Sequence, residues 1–534
     1  MTRKPLRLLL SALLVAGAAA AAALVGSASG SAGASGIAAS PTTVQTPNGT
    51  IDTKNCVKYA GVESSGSKNS LDPAQQPSSQ NSLNVNATYD RLTTEDDNWK
   101  VLPDLATSWK SNASGTVWTF NLRKGVTFSD GKPFTSKDVV WTFQRVIDPK
   151  TGSEGAPQMS FLTKQGIQAA GPYAVKFITK KPVAELPLLI TNKNTFITEA
   201  GTPTATLRTK GAGTGPFIPV GFSPNKQVQT FVRNPHYWRP GLPKASCLQL
   251  YVIQEANSML AALQTGQVDF SQQVDYSVVP VLQKDSKVKL LTTGPSTSMT
   301  MPMWVDTTPF KDVRVRQALK KVIDRKQMVN TVLHGFGVIG DDNPVPPTSP
   351  DAWRHTVPGP DVEGAKSLLA AAGYSSSNPL KVDLYTADVI PAIVNMTQLF
   401  KEQAAKAGIQ VNVISGPASE YWDNVWLKHP FEISAWSARP AGLALSIAYL
   451  QNAPYPETHW KVPAYDALIK KANTTVNSAA RRKVYQQAEK MLTLQGGEII
   501  PMFQRVVAAQ RSTCTGYTPS IQFVQFDLTH LACK

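Results

Sequence analysis

Between residues 56 and 534, short runs rich in Val, Ile, Phe, Tyr or Trp alternate with segments whose apolar positions recur every three or four residues. The short runs predict strands over 56–60, 117–122, 173–178, 226–233, 247–253, 298–305, 380–385, 410–415 and 432–436, each bounded by Gly, Pro or Asn. The helical period predicts helices over 256–265, 312–333, 361–372, 391–407 and 478–494. Gly373, Gly408 and the pair Gly496 and Gly497 stand just past three of them, where glycine accepts the left-handed conformation that closes a helix. Strands alternating with helices of this length indicate α/β layers with covered sheets. No Pro/Gly linker divides the body, so lobes that share chain crossings are expected.

The first 55 residues follow another pattern. Arg3, Lys4 and Arg7 precede an apolar, Ala-rich run that ends in Gly26, Ser27 and Ala28, the layout of a secretory signal peptide over 1–28. The run approaches the length of a membrane span, but its Ala content and small-residue exit favour cleavage over a retained anchor. Residues 29–55 are nearly all Ser, Gly, Ala, Thr, Pro and Asn and predict a flexible tether. Export places the four cysteines, Cys56, Cys247, Cys514 and Cys533, in an oxidising compartment, which permits two disulfides in three pairings. Metal ligation is the weaker reading, since there is no Cys-x-x-Cys and the six His are scattered.

A chain of 534 residues with 42% hydrophobic content is long enough for two or three domains with large cores. The formal charge of +16 raises nucleic acid as a partner. The densest basic cluster, at 312–329, argues against it. Val315, Ala318, Leu319, Val322 and Met328 form one helical stripe, with Arg314, Arg316, Lys320, Lys321 and Arg325 off it, the pattern of a solvated helix face. No nucleic-acid partner is expected.

The strongest enzyme reading is a secreted serine hydrolase of the penicillin-recognising type. Ser65 to Lys68 fits S-x-x-K, Ser129 to Gly131 approximates S-D-N, and Lys150 to Gly152 is K-T-G. The context opposes it: Ser65 sits among Gly, Asn and Pro instead of opening a helix, and Ser129 and Lys150 are too close in sequence to bring in a separate edge strand. There is no G-x-S-x-G, H-E-x-x-H or G-x-x-x-x-G-K-[ST]. No nucleophile with an evident base is visible, so the chain is not expected to be an enzyme, and no cofactor is implied.

Nine segments, in order, resemble the family 5 extracellular solute-binding proteins, the peptide and nickel receptors of ABC importers. They are "NSLDP" from Asn69, "ATYDRLTTEDDNWKVLPDLATSWK" from Ala87, "FNLRKGVTFSDGKPFTSKDVVWTF" from Phe120, "GTGPF" from Gly213, "RNPHYW" from Arg233, "ALQTGQVDF" from Ala262, "PFKDVRVRQALKKVIDRKQMV" from Pro309, "AKSLLAAAGY" from Ala365 and "IIPMF" from Ile499. In the third of these, Gly125 and Gly131 suit turns, Phe128 and Phe134 suit a core, and Thr135 or Ser136 suits a helix cap, so that corner reads as scaffold. The Tyr237 and Trp238 rings of "RNPHYW" read as core plugs.

The resemblance implies an α/β two-lobe clamp of the periplasmic-binding-protein type, with two chain crossings and an extra subdomain in the larger lobe. It implies a large lobe over 56–296, holding an inserted subdomain near 73–205, a second lobe over 297–489, and a return to the large lobe over 490–534. The hinge would be the segments 299–306 and 496–501. It also implies that Cys56 and Cys247 open parallel neighbouring strands at one sheet edge and pair, as do Cys514 and Cys533, each bridge contributing about 2–4 kcal/mol. The implied function is transport: an exported, monomeric receptor outside the cytoplasmic membrane that delivers a peptide-like solute to membrane permease subunits. In peptide-binding members of the family, a strand-end Trp is followed three positions later by an Asp that holds the solute's amine. Here Trp436 matches the Trp and Arg439 replaces the Asp. A guanidinium repels ammonium and forks onto a carboxylate, so an anionic solute is implied. Trp436, Arg439, Ser437, Trp422, Tyr449 and Trp304 are the candidate ligand-binding residues, with Trp426 a further candidate wall.

Overall fold

The computed structural model describes residues 43–46, 49–62, 69–76, 79–390, 392–522 and 526–534; the signal peptide, residues 29–42 of the tether, Ser65 and Lys68 lie outside them. The tether expectation is corrected in its last part, where Thr43–Thr46 and Gly49–Asp52 pair as an antiparallel hairpin.

Nine strands make the principal sheet: β1 (Val57–Gly61), β2 (Phe217–Val220), β3 (Val228–Arg233), β4 (Cys247–Val252), β5 (Phe270–Ser271), β6 (Val288–Pro302), β7 (Gly337–Ile339), β8 (Ser434–Ser437) and β9 (Glu498–Arg511). Their spatial order is β2-β3-β4-β1-β5-β9-β6-β8, with β7 also on β9. β4, β1 and β5 are parallel, as buried strands joined by helical crossovers must be. The predicted strand at 298–305 is the far end of β6, which starts ten residues earlier and runs antiparallel to β9 from Val288 opposite Arg511 to Pro302 opposite Glu498. Separate four-stranded and two-stranded sheets lie outside this one, the first built from Ala106–Ser111, Val117–Leu122, Ala174–Ile178 and Ile167–Ala169.

Apolar packing divides along the β6 and β9 pair. One core gathers Met299, Met301 and Met303 of the first crossing with Ile499 and Met502 of the second, together with side chains from 310 to 433. Other cores collect Val57, Tyr59, Leu248 and Phe270, or Met259, Leu263, Val507 and Ala509. A further core fills the four-stranded sheet, with Phe120, Phe143 and Phe177 in edge-to-face contact. The corner feeding that core is built as its residues suggest. Gly125 and Gly131 have φ of +75° and +88°, and Thr135 forms a reciprocal capping box with Asp138 at the start of α1 (Ser136–Val146).

Cys56 is joined to Cys247 and Cys514 to Cys533, the pairing the resemblance implies. The strands opened by the first pair are parallel neighbours, but they lie inside the sheet and not at its edge.

The basic cluster departs most from expectation. The helix expected over 312–333 is two helices, α2 (Val313–Lys321) and α3 (Arg325–Val332), because the Asp324 side chain accepts from the Gln327 amide and starts a second helix. Arg316, Lys320 and Arg325 are buried, not solvated. Arg316 donates to the Gln495 carbonyl, and Lys320 to the carbonyls of Thr493 and Gly496 at 3.0 and 3.1 Å. These carbonyls close α4 (Ser478–Gln495), whose unpaired acceptors and negative dipole end favour cations. That explains a second correction: Gly496 ends this helix with φ −69°, not in the left-handed region, since donors from α2 replace a glycine cap. Glycine is required at 496 and 497 by close approach instead. A Cβ would lie 2.6 Å from the Leu492 carbonyl oxygen at the first and 2.2 Å from that of Met303 at the second. Gly373 and Gly408 do take left-handed φ, +92° and +77°.

Arg325 completes the group, donating to the Ile500 carbonyl at 2.9 Å and pairing with Asp342 at 2.7 Å. Asp342 in turn accepts from the Ile500 amide at 3.0 Å. Removing one partner of a buried pair strands the other charge, so Arg325→Ala is expected to destabilise the protein by about 3–5 kcal/mol, measured by urea denaturation.

Candidate functional site

β8 ends at Ser437, and the chain passes through Arg439 and Pro440 into α5 (Ala441–Ile447), a helix begun by proline-fixed backbone and not by a side-chain cap. This turn faces β6 and β9 and closes one side of a narrow cavity of about 20 Å³. Trp436, Ser437, Arg439 and Tyr449 line it from one side, Pro295, Ser298 and Phe503 from the crossing strands.

Arg439 is half-buried. Its guanidinium lies over the Trp436 ring at 4.9 Å, and its Nη1 donates to the Ser437 carbonyl at 2.9 Å. Burial pulls it down to about 10, against opposing pulls from Tyr455 and Glu457. It forms no salt bridge among the described residues, so its remaining donors are available to the cavity. Trp436 donates its indole N–H to Glu457 at 2.7 Å and packs between Trp426 and Tyr455, ring centroids 6.2 and 5.5 Å away. Tyr449 is buried to its hydroxyl, which lies near Glu498.

Two expected site residues are not brought to this cavity. Trp422, on the short helical turn Tyr421–Val425, stands edge-on to Tyr421 and Trp426 and packs on the core that holds Phe400 and Phe431. Trp304 stacks on His459 at 4.1 Å, held by its amide on the Pro430 carbonyl. Trp426 supports the cavity from behind, through Trp436.

Sequence reasoning missed Glu457. It is wholly buried, its Oε1 accepting from the Trp426 indole at 2.6 Å and its Oε2 from that of Trp436. The signal was present in "NAPYPETHW", where one acid stands in an otherwise apolar and aromatic stretch. Burial, relieved by the Ser434 hydroxyl and these indoles, still pushes Glu457 up. Two further carboxyls share this layer: Glu498, raised by burial and by Glu457, and Glu432, raised to about 8 by burial.

A larger groove, about 360 Å³, lies elsewhere, lined by Tyr237 and Trp238. Both rings are half-buried at its wall, which corrects their reading as core plugs. Their polar ends donate to Asp90, at 3.3 and 2.9 Å. Asp90 also accepts from Thr214 of the "GTGPF" segment, whose glycines let the backbone meet Thr88. Burial and neighbouring Asp104 raise Asp90 to about 7. Its oxygens have protein donors, so it reads as scaffold. The group of Asp269, Cys514 and Cys533 is no metal site, because its sulfurs are joined in a disulfide.

Residues 100–452 match the family model for bacterial extracellular solute-binding proteins, family 5, middle part. Among curated relatives, heme-binding protein A of Haemophilus influenzae is 27% identical over 433 residues, 73% of this chain and 76% of that protein. The glutathione-binding protein GsiB of Escherichia coli K12 is 25% identical over 470 residues, 84% of this chain and 89% of the other. Among solved structures, HbpA2 from Haemophilus parasuis superimposes with a TM-score of 0.77 at 21% identity, covering 90% of this chain and all of that one. No described helix is long and apolar enough to cross a membrane.

The buried carboxyls give a pH dependence of defined sign. Asp90 and Asp341 rise to about 7 and Glu432 to about 8, so the folded protein keeps protons that the unfolded chain has released above about pH 4.5. Stability therefore falls as pH rises from 5 to 8, each group contributing up to about 1.4 kcal/mol per pH unit within its own window. Urea unfolding at pH 5 and 8 is expected to show greater stability at pH 5, and Glu432→Gln, which keeps the acceptor for the Leu427 amide, should reduce the difference.

Proposed function

The chain belongs to the bacterial extracellular solute-binding proteins, family 5, and from that premise we propose that it captures an anionic, peptide-like solute for an ABC importer. It works by binding and release, not by chemical turnover. It acts outside the cytoplasmic membrane and passes its solute to the permease subunits as a monomer. The lobes are residues 56–296 with 490–534, and 297–489, and the solute lies between them.

The observation that carries this reading is Arg439 stacked on Trp436 at the cavity wall, without a salt bridge among the described residues. An amine-binding carboxylate at this position would select the amino end of a peptide, whereas a guanidinium attracts a carboxylate. The relatives named for glutathione and heme fit this chemistry, since both solutes carry carboxylates. Glutathione suits it better, because it is peptide-like and the aromatic wall would flank its backbone. Trp436, Arg439, Ser437 and Tyr449 form the contact set.

Titration calorimetry is expected to show glutathione binding without chemical change in the recovered ligand, and weaker binding of unmodified di- and tripeptides. Losing a charge-assisted hydrogen bond costs about 1.5–3 kcal/mol, so Arg439→Ala should weaken glutathione binding about 10- to 100-fold. Peptide binding indifferent to Arg439→Ala would reject the anion selector.

A solute that touches both lobes does so only when they close, and that difference in contact drives closure. Small-angle scattering should show a smaller radius of gyration with saturating ligand. An unchanged curve with a tightly bound ligand would rule out hinge closure.

A further inference from the structure

We propose that Glu457 is the positioning residue of this site, its two oxygens fixing the Trp426 and Trp436 indoles and, through Trp436, the guanidinium of Arg439 that meets the solute. The inference rests on the reading of Trp436 and Arg439 as solute contacts.

The geometry is specific to a carboxylate. An indole N–H only donates, and an ionised carboxylate only accepts. Glu457 receives one indole on each oxygen, at 2.6 and 2.7 Å, in a place closed to water. The rings it holds form a box. Trp426 stacks on Tyr455 with centroids 5.3 Å apart, Trp436 lies 5.5 Å from Tyr455, and Arg439 covers Trp436. A protonated carboxyl keeps only a weaker acceptor on its hydroxyl oxygen, and an amide places an NH2 donor there. One indole N–H then has a poorer acceptor, or in the amide none.

The groups facing Glu457 set when that happens. Arg439 favours the ionised form. Glu498 on β9 and Glu432 beside β8 oppose it, and the Tyr421 and Tyr449 side chains complete the surround. Lys320 lies beyond Glu498. Burial pushes Glu457 above the usual carboxylate range, while the carboxylates and amine of glutathione keep their charges between about pH 5 and 7.

Positioning and simple charge predict opposite signs. Neutralising Glu457 removes a negative charge near an anionic solute, which alone would tighten binding; releasing an indole loosens it. The experiment compares wild type, Glu457→Gln, Glu498→Gln and Trp436→Phe by near-ultraviolet circular dichroism without ligand, and by glutathione calorimetry, from pH 5 to 8. The wild-type tryptophan bands are expected to change as pH falls. Glu457→Gln at pH 8 should resemble wild type at pH 5 and respond little to pH, and Trp436→Phe should lose most of the response. Glutathione affinity should drop about tenfold in Glu457→Gln and become flat with pH, with Glu498→Gln shifting the midpoint but keeping the transition. A Glu457→Gln protein whose tryptophan bands and pH response match wild type, or which binds glutathione equally or more tightly, overturns the proposal. Should Glu457→Gln fail to fold, Trp436→Phe decides: a pH response equal to wild type rejects the role. If wild type shows the spectral transition but binds no glutathione, the solute assignment fails and the positioning stands.

Discussion

The antiparallel pairing of β6 with β9 is the constraint on which the rest of the molecule depends. The two strands run side by side from Val288 and Arg511 to Pro302 and Glu498, and the apolar cores on either end of that ribbon are built from different parts of the chain. Its middle is irregular, with register shifts around Pro295 and between Met299 and Met301. Such bulges interrupt the ladder and increase local twist. The hydrogen bonds they release are met locally, as where the Thr293 hydroxyl accepts from the Val506 amide at 2.9 Å. Pro295, Ser298 and Phe503 of this irregular stretch also line the cavity. The cavity lining and the irregular stretch of the ribbon thus share these residues.

The Glu498 end of the ribbon is held on several sides. At the Glu498 end, Arg325 and Asp342 hold the backbone of Ile500 by both its carbonyl and its amide, while Arg316 and Lys320 gather the last carbonyls of α4 just before the strand begins. Burial pulls Lys320 down to about 8, and it remains paired with carbonyl dipoles in place of a carboxylate. Fixed acceptors of a helix end suit such a cation, because they are already oriented and need no side-chain ordering.

This polar anchor shows where sequence reading succeeds and where it stops. Strands 117–122 and 410–415 and the helix at 256–265 are legible to the residue, since their pattern records burial on a single layer. The two-lobe architecture is legible through family resemblance. The destination of a long basic side chain is not. Arg316 and Lys320 lie off the apolar stripe and would be solvated on an isolated helix; only the arrival of α4, more than 150 residues later, supplies their acceptors. Gly496 fails for the same reason, since close contact and not left-handed backbone selects it. Trp436 and Arg439, picked out through family resemblance, do line one cavity. Glu457 reaches them from a loop, and Trp422 and Trp304 could not be told from cavity residues because an aromatic ring carries no mark of which way its backbone turns it.

The positions of Arg439 and Glu457 also separate two tasks. The residue three places after the strand-end Trp faces the cavity, where its charge would act directly on a solute in the proposed function. The acid that holds the Trp ring lies beneath, reached by no solvent, with both oxygens occupied by indoles. Because orientation of the aromatic wall comes from below, the outer residue has no structural duty beyond its contact with the Ser437 carbonyl and the ring it covers. A change of sign at position 439 therefore alters which solute is attracted while leaving the wall in place. The reverse change, at 457, would unseat the wall whatever the outer residue carried. Selectivity and framework thus occupy different layers of one small region, joined only through the indole of Trp436.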